Sequence, residues 1–221
     1  MDSRYVEFGW LGYIIFATYG AQCLQIGFYP VPSAGSTIEM LFKRTASNEH
    51  SKQYFLNLAA ISIGEKIVLV AATLAVIIAS LVPVATLLWP PVYSYLWPLF
   101  KSPPKALGIA SALLLVIGNF ITGLAVFTLK KHVTFHHFGE TKKLYTGGIF
   151  GLVRNPVTLG LVIIYGGFVL ALPSVVMIFG FVILLFNSSC RIKMEEHYLE
   201  RSFGDPYLQY KKRVGKFWPK F

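Results

Sequence analysis

Apolar and polar positions fall in long blocks along this chain, and the block lengths set the elements. Residues 8–29 hold no charged side chain and end at Pro30 and Pro32. A polar stretch, residues 30–54, follows with Lys43, Arg44, Glu49 and Lys52, and reads as a connection that includes an amphipathic helix. Residues 67–88 are apolar again after Glu65 and Lys66, and residues 106–129 form a third block closed by Lys130 and Lys131. A bilayer's hydrocarbon core takes about 20 helical residues, so each block predicts one spanning helix.

The fourth block runs uncharged from residue 155 to residue 190. As one straight helix it would measure about 54 Å, against a core of about 30 Å, which is too long even for a tilted span. Pro173, in LALPSVV, stands near its midpoint. An interior proline removes a helix hydrogen bond and clashes with the preceding turn. The block therefore reads as a helical hairpin, spans four and five, that returns Arg154 and Arg191 to the same membrane face. The WPPVYSYLWP segment, residues 89–98, is proline-broken and aromatic; it suits the interfacial belt and is expected only to anchor.

Composition supports a membrane protein. Hydrophobic residues make up 55% of the chain and charged residues 14%, where a soluble domain carries about 25% charged residues. The net charge of +10 over 221 residues is informative mainly through its placement. Arg4, Lys101 and Lys105 lie in segments assigned to one side, and the other seventeen of twenty Lys and Arg lie in those assigned to the other. That is the positive-inside pattern, and with five spans it predicts an outside N-terminus and a cytosolic C-terminus. Nucleic-acid binding is excluded, because no soluble stretch is long enough to build a basic readout face. Cys23 and Cys190 form no CxxC pair and no disulfide framework, and read as buried thiols. Residues 1–7 carry two acids and one Arg rather than a basic leader, so the first block reads as a retained span.

The fold class expected is all-α, a polytopic helical membrane protein with about five spans, the Pro-broken hairpin and a cytosolic C-terminal helix. The chain reads as a single domain, 1–221, with three N-terminal spans in 1–130 and the chemistry in 131–221.

Two polar segments flank the hairpin: KKLYTGGIFGLVRNPVTLG, residues 142–160, and RIKMEEHYLERSFGDPYLQYKKRV, residues 191–214. Gly147 and Gly148 allow close backbone approach or positive φ, and Pro156 suits the first turn of span four. Arg191 and Glu195 share a helix face; as an exposed pair they would contribute only about 0.3 to 0.5 kcal/mol. Glu196, Glu200 and Arg201 continue a charged helix. Arg154 is a cation at the membrane boundary, read either as snorkelling or as part of a site. His132, His136 and His137 have a helical metal-site spacing but no carboxylate or Cys cluster beside them, so no metal is expected. Gln22, Gln25 and Asn119 are expected to hydrogen-bond between helices. Tyr207 and Tyr210, with the KKR run, read as an interfacial tail on anionic lipid.

At these residues the sequence resembles the isoprenylcysteine carboxyl methyltransferase and phospholipid methyltransferase superfamily of integral membrane enzymes. Its pattern G-x-[YF]-x-x-x-R-[HN]-P-x-[YT]-x-G is met by Gly148, Phe150, Arg154, Asn155, Pro156, Thr158 and Gly160. Its later Arg-x-x-x-Glu-Glu and F-G-x-x-Y-x-x-Y-[KR]-x-x-V segments are met by Arg191, Glu195, Glu196, Phe203, Gly204, Tyr207, Tyr210, Lys211 and Val214. The resemblance covers the C-terminal eighty or so residues, and the first three spans resemble the family only in hydropathy.

It implies a cytosolic-side pocket for S-adenosylmethionine lined by Lys142, Lys143, Leu144, Tyr145, Phe150, Asn155, Pro156, Val157, Thr158 and Glu195. Arg154 would support that pocket and Arg191 would face the acceptor, making Arg191, Arg154 and Glu195 the candidate catalytic group. The acceptor implied is lipidic, enters from the bilayer, and is best matched by the carboxylate of a prenylated cysteine or a related small lipid acid. A phospholipid amine or a thiol is the alternative, with Glu195, Glu196 or a His as the base. Asn155, Thr158 and Lys142 replace the His, Tyr and His of the best-known members, which leaves the substrate open. Membrane sterol and steroid reductases that use NADPH resemble the superfamily in their C-terminal half, but usually carry Asn-Tyr where this chain has Asn155 and Pro156. The non-enzymatic alternative is a lipid-binding membrane protein anchored by its charged segments.

Overall fold

The computed structural model describes residues 9–27, 63–101, 103–135 and 144–220. The polar connection of residues 30–54, Lys142, Lys143, His136 and His137 lie outside the described residues, as do the side chains of Gln22, Cys23, Gln25 and His132. The architecture is helical, with isolated β-bridges and no β-strand among the described residues. The helices are α1 (Gly9–Gly27), α2 (Ile63–Leu88), α3 (Lys105–Phe135), the single turn α4 (Ile149–Leu152), α5 (Pro156–Ala171), α6 (Val175–Phe203) and α7 (Asp205–Arg213). A 3-10 segment, Pro90–Leu96, joins α2 towards α3.

Among the described residues, three helical stretches are long and apolar enough to cross a membrane: Val70–Leu88, Lys105–Leu129 and the helix Val175–Phe203. α5 is apolar but has only 16 residues, about 24 Å at 1.5 Å per residue. α3 continues past Lys130 and Lys131 to Phe135, beyond the predicted end. Charge alone does not stop a helix whose backbone bonds are satisfied within itself.

Small residues set the tightest packing, that of α3 against α5. Ser111, Leu115, Gly118 and Thr122 on α3 face Gly160, Ile164 and Gly167 on α5. A Cβ on Gly118 would come within 2.8 Å of the Gly160 carbonyl and 2.9 Å of the Ile164 nitrogen. The Ser111 hydroxyl donates to the Gly167 carbonyl at 2.8 Å. In a bilayer, where lipid tails are as apolar as leucine, this close approach and cross-helix bonding are what hold helices together. α1 packs on α3, α2 on α6 and α5 on α6. Tyr19 of α1 stacks on Phe168 of α5 with ring centroids 5.3 Å apart, and its hydroxyl donates to the Ser80 carbonyl of α2. Asn119 donates to the Leu115 carbonyl of its own helix at 2.8 Å.

The predicted hairpin is present. α5 stops at Ala171, Pro173 breaks the chain, and extended Ser174 caps α6 by accepting from the Met177 N–H at 3.4 Å. The segment of residues 89–98, expected only to anchor, does more together with Leu99 and Phe100 that follow it. The Leu99 N–H donates to the Pro173 carbonyl at 2.8 Å and the Val175 N–H donates to the Trp97 carbonyl at 3.1 Å. The buried Tyr93 hydroxyl lies 3.3 Å from the same Pro173 carbonyl and 3.2 Å from that of Phe100. The bend therefore satisfies its backbone against a neighbouring loop, as a buried peptide group must. Trp89, Tyr95 and Trp97 stay exposed, as interfacial aromatics do.

Candidate functional site

The residues that form the candidate site lie at the other end of the hairpin. Pro156 opens α5 in its first turn, as predicted, where its missing N–H is no loss. Val153 is extended, and residues 153–155 pair with Gly215 and Lys216. The Arg154 N–H donates to the Gly215 carbonyl at 2.9 Å, the Asn155 N–H to the Lys216 carbonyl at 3.3 Å, and Val153 bridges Gly215. Gly148 has φ +56°, the left-handed region that favours glycine, and so starts α4 without strain.

Arg154 is the centre of this junction. Its Nη1 donates to the carbonyls of Lys211 (3.0 Å) and Val214 (2.6 Å), and its Nη2 pairs with Glu196 Oε1 at 2.7 Å. The two side chains are only 8% and 14% exposed. The Arg154 Nε is buried without a hydrogen-bond partner among the described residues. Lys211 reaches the other Glu196 oxygen at 3.1 Å and Glu200 at 2.6 Å. Burial would raise the Glu196 pKa, but hydrogen bonds from Arg154 and Lys211 outweigh it and hold the carboxyl below its ordinary value. Hydrogen bonds to Glu200 and Glu196 raise the Lys211 pKa. Arg154 is thus a brace between the start of α5, α6 and α7, and Glu196, expected to continue a charged helix or to serve as a base, is its counter-charge.

Tyr207 and Tyr210 are not an interfacial tail. Both are buried with Val214, against Leu144, Leu199 and Phe203, and the Tyr210 hydroxyl donates to the Phe150 carbonyl at 2.7 Å. Burial pushes the Tyr210 pKa up to about 12. α7 therefore packs inward on its tyrosine face and closes over α4.

Arg191 and Glu195 share a face of α6 beyond its apolar part, which ends at Cys190. Their charged atoms are 3.8 Å apart and their side chains are 40% and 35% exposed, so the pair is loose. Surrounding protein nevertheless raises the Glu195 pKa by desolvation, with Arg191 pulling the other way. Leu144, Tyr145, Phe150, Asn155, Val157 and Thr158 are half-buried, and Pro156 is buried. Tyr145 and Phe150 meet edge to face with centroids 6.1 Å apart. Tyr145 and Phe150 thus meet each other, Leu144 and Phe150 meet the inward face of α7, and the brace ties the start of α5 to α6 through Glu196, the neighbour of Glu195.

Residues 107–206, from α3 into the start of α7, match the phospholipid methyltransferase family. The family region holds Arg154, Arg191, Glu195 and Glu196, and it stops just before the α7 tyrosines that close the site. Among the relatives, a probable protein-S-isoprenylcysteine O-methyltransferase of Oryza sativa subsp. indica is 32% identical over 105 residues, covering 46% of this chain and 55% of the relative. The protein-S-isoprenylcysteine O-methyltransferase of Saccharomyces cerevisiae is 33% identical over 118 residues, 50% of this chain and 48% of the relative. Protein-S-isoprenylcysteine O-methyltransferase B of Arabidopsis thaliana is 28% identical over 105 residues, 46% and 53%. The chain spans about half the length of the relatives it matches. The apolar helices, together with this family match, make this an integral membrane protein.

Proposed function

We propose that this chain is a membrane methyltransferase that uses S-adenosylmethionine to methylate a lipidic acceptor, best matched by the carboxylate of a prenylated cysteine or a related small lipid acid. The observation that carries the reading is the division of labour between neighbouring charges on α6. Glu196 is taken up by Arg154, whereas Arg191, next to the end of the apolar run, is half-exposed and only loosely paired. A planar guanidinium in that position can hold an acceptor's carboxylate through two parallel hydrogen bonds while the acceptor's chain stays in lipid.

The residues present fit the cofactor. Tyr145 and Phe150 offer half-buried aromatic edges, and Asn155 and Thr158 offer polar side chains at the first turn of α5. Glu195 offers a carboxylate, and Arg154 Nε a buried donor with no described partner. When bound, S-adenosylmethionine supplies a methyl group already activated by its sulfonium, so the protein has mainly to position the acceptor and exclude water. Lys142 and Lys143 complete the proposed shell on sequence resemblance alone. Arg191 orients the acceptor, Glu195 faces the cofactor, and Arg154 keeps α7 closed over both. We assign the N-terminus to the outside and the C-terminus, with the site, to the cytosol.

A phospholipid amine is the second reading, favoured by the raised Glu195 pKa, which makes that carboxylate a better proton acceptor. Purified protein in lipid nanodiscs, given methyl-labelled cofactor with either a farnesylated cysteine or phosphatidylethanolamine, separates the two. Label that alkali releases as methanol supports the carboxylate, and alkali-stable label on the amine lipid supports the second reading. Absence of cofactor binding by calorimetry would overturn both.

A further inference from the structure

We infer that the end of the chain, residues 214–220 with the outer face of α7, is an anchor for anionic phospholipid headgroups, and that this docking stabilises the candidate site. The inference rests on the chain being membrane-embedded and not on the methyl-transfer reading. α7 buries Tyr207 and Tyr210, and so turns Leu208, Lys212 and Arg213 outward, where all three are exposed. Residues 206–220 contain five cations, Lys211, Lys212, Arg213, Lys216 and Lys220, and no acid. Lys211 is committed to Glu196 and Glu200; Lys212 and Arg213 have no ion pair among the described residues.

The chain does not run off into water after α7. The carbonyls of Gly215 and Lys216 accept from the Arg154 and Asn155 amides, immediately before a helix with no charged residue. These bonds fix the closing turn beside the first turn of the apolar helix α5. There Trp218 is 79% exposed, and Leu152, beside the Val153–Gly215 bridge, is exposed as well. An outward indole with neighbouring unpaired cations here complements an interface of anionic lipid, in which tryptophan is enriched and each Lys or Arg near the surface is attracted. A zwitterionic surface satisfies the indole but not the charge. The Val214 carbonyl accepts from the Arg154 guanidinium, so whatever holds the turn also holds the brace.

The test uses the full chain with Trp10, Trp89 and Trp97 replaced by Phe, leaving Trp218 as the sole tryptophan. It is placed in nanodiscs of phosphatidylcholine alone or of phosphatidylcholine mixed with phosphatidylglycerol. Trp218 quenching by lipids brominated near the headgroup is expected to rise with phosphatidylglycerol and to fall at high salt. Replacing Lys212 and Arg213 by Glu should remove that rise, at about a fivefold loss in the docked-to-free ratio per cation removed. Hydrogen exchange at the Arg154 and Asn155 amides should slow when the anionic lipid is present. Equal quenching in the two lipids, or quenching indifferent to the charge reversal, overturns the docking. Docking that leaves exchange at those two amides unchanged overturns the link to the site.

Discussion

The Arg154 side chain bonds to residues that follow it by 42 to 60 positions. Removing it leaves Glu196 with Lys211 alone as its counter-charge, so part of the about 3 to 5 kcal/mol that breaking a buried pair costs is expected to be lost. Arg154→Ala is therefore expected to lower the melting temperature in detergent and to raise hydrogen exchange across residues 205–216. Arg154→Lys should recover only part of both, since an ammonium cannot span two carbonyls and a carboxylate at once. Glu196 adds a pH signature. Its folded pKa lies below the ordinary carboxylate value, so its stabilisation is full above that value and is lost as pH falls through the lower, folded pKa. Exchange across 205–216 should rise in that acidic window, and Glu196→Gln should flatten the dependence. Glu195, with its pKa raised, works in the opposite sense: its ionised form is disfavoured on folding, and protonation relieves that cost. In the sequence, the Arg191 and Glu195 pairing was legible because helical spacing is local. The Arg154 and Glu196 pairing was not, because it depends on where a whole hairpin returns. Tyr207 and Tyr210 look interfacial in the sequence for a related reason: they stand beside three basic residues, and only the packing of α7 shows that they face inward.

Among the elements, α3 and α5 depend on glycine more than on any large side chain. Gly118→Leu or Gly160→Leu forces the two backbones apart, and overpacking of this kind costs about 1 to 3 kcal/mol or more. The expected result is a lower melting temperature with little change in helix content by circular dichroism. The bend at Pro173 makes a smaller, separable prediction. Tyr93→Phe removes one shared hydroxyl bond and should cost about 1 kcal/mol, read as an earlier thermal transition. The hairpin itself was written plainly in the sequence, since an uncharged run too long for a bilayer must fold at its only interior proline after Pro156. What closes the bend was hidden, because residues 89–100 show only an aromatic, proline-rich composition. Nothing in that composition says which distant carbonyl they serve.

For the molecule as a whole, the bend with Lys101 and the site with Lys220 sit at opposite ends of the hairpin. With Cys23 and Cys190 replaced by Ala, Lys101→Cys in sealed vesicles should react with an impermeant maleimide from the side opposite that of Lys220→Cys. Labelling of both from one side would overturn the assigned orientation. Two strands of connectivity join these ends: the brace ties the last residues to the start of α5, and the Pro173 carbonyl takes its partners from Tyr93 and Leu99. The second has a bearing on how the protein is made. A chain synthesised from its N-terminus presents Tyr93 and Leu99 before α3 exists, so the receptor for the bend is in place when the hairpin arrives. Residues 105–221 expressed alone should enter the membrane with that bend unclosed and be degraded faster. Supplying residues 1–104 as a separate chain should restore their lifetime, which pulse-chase labelling would measure.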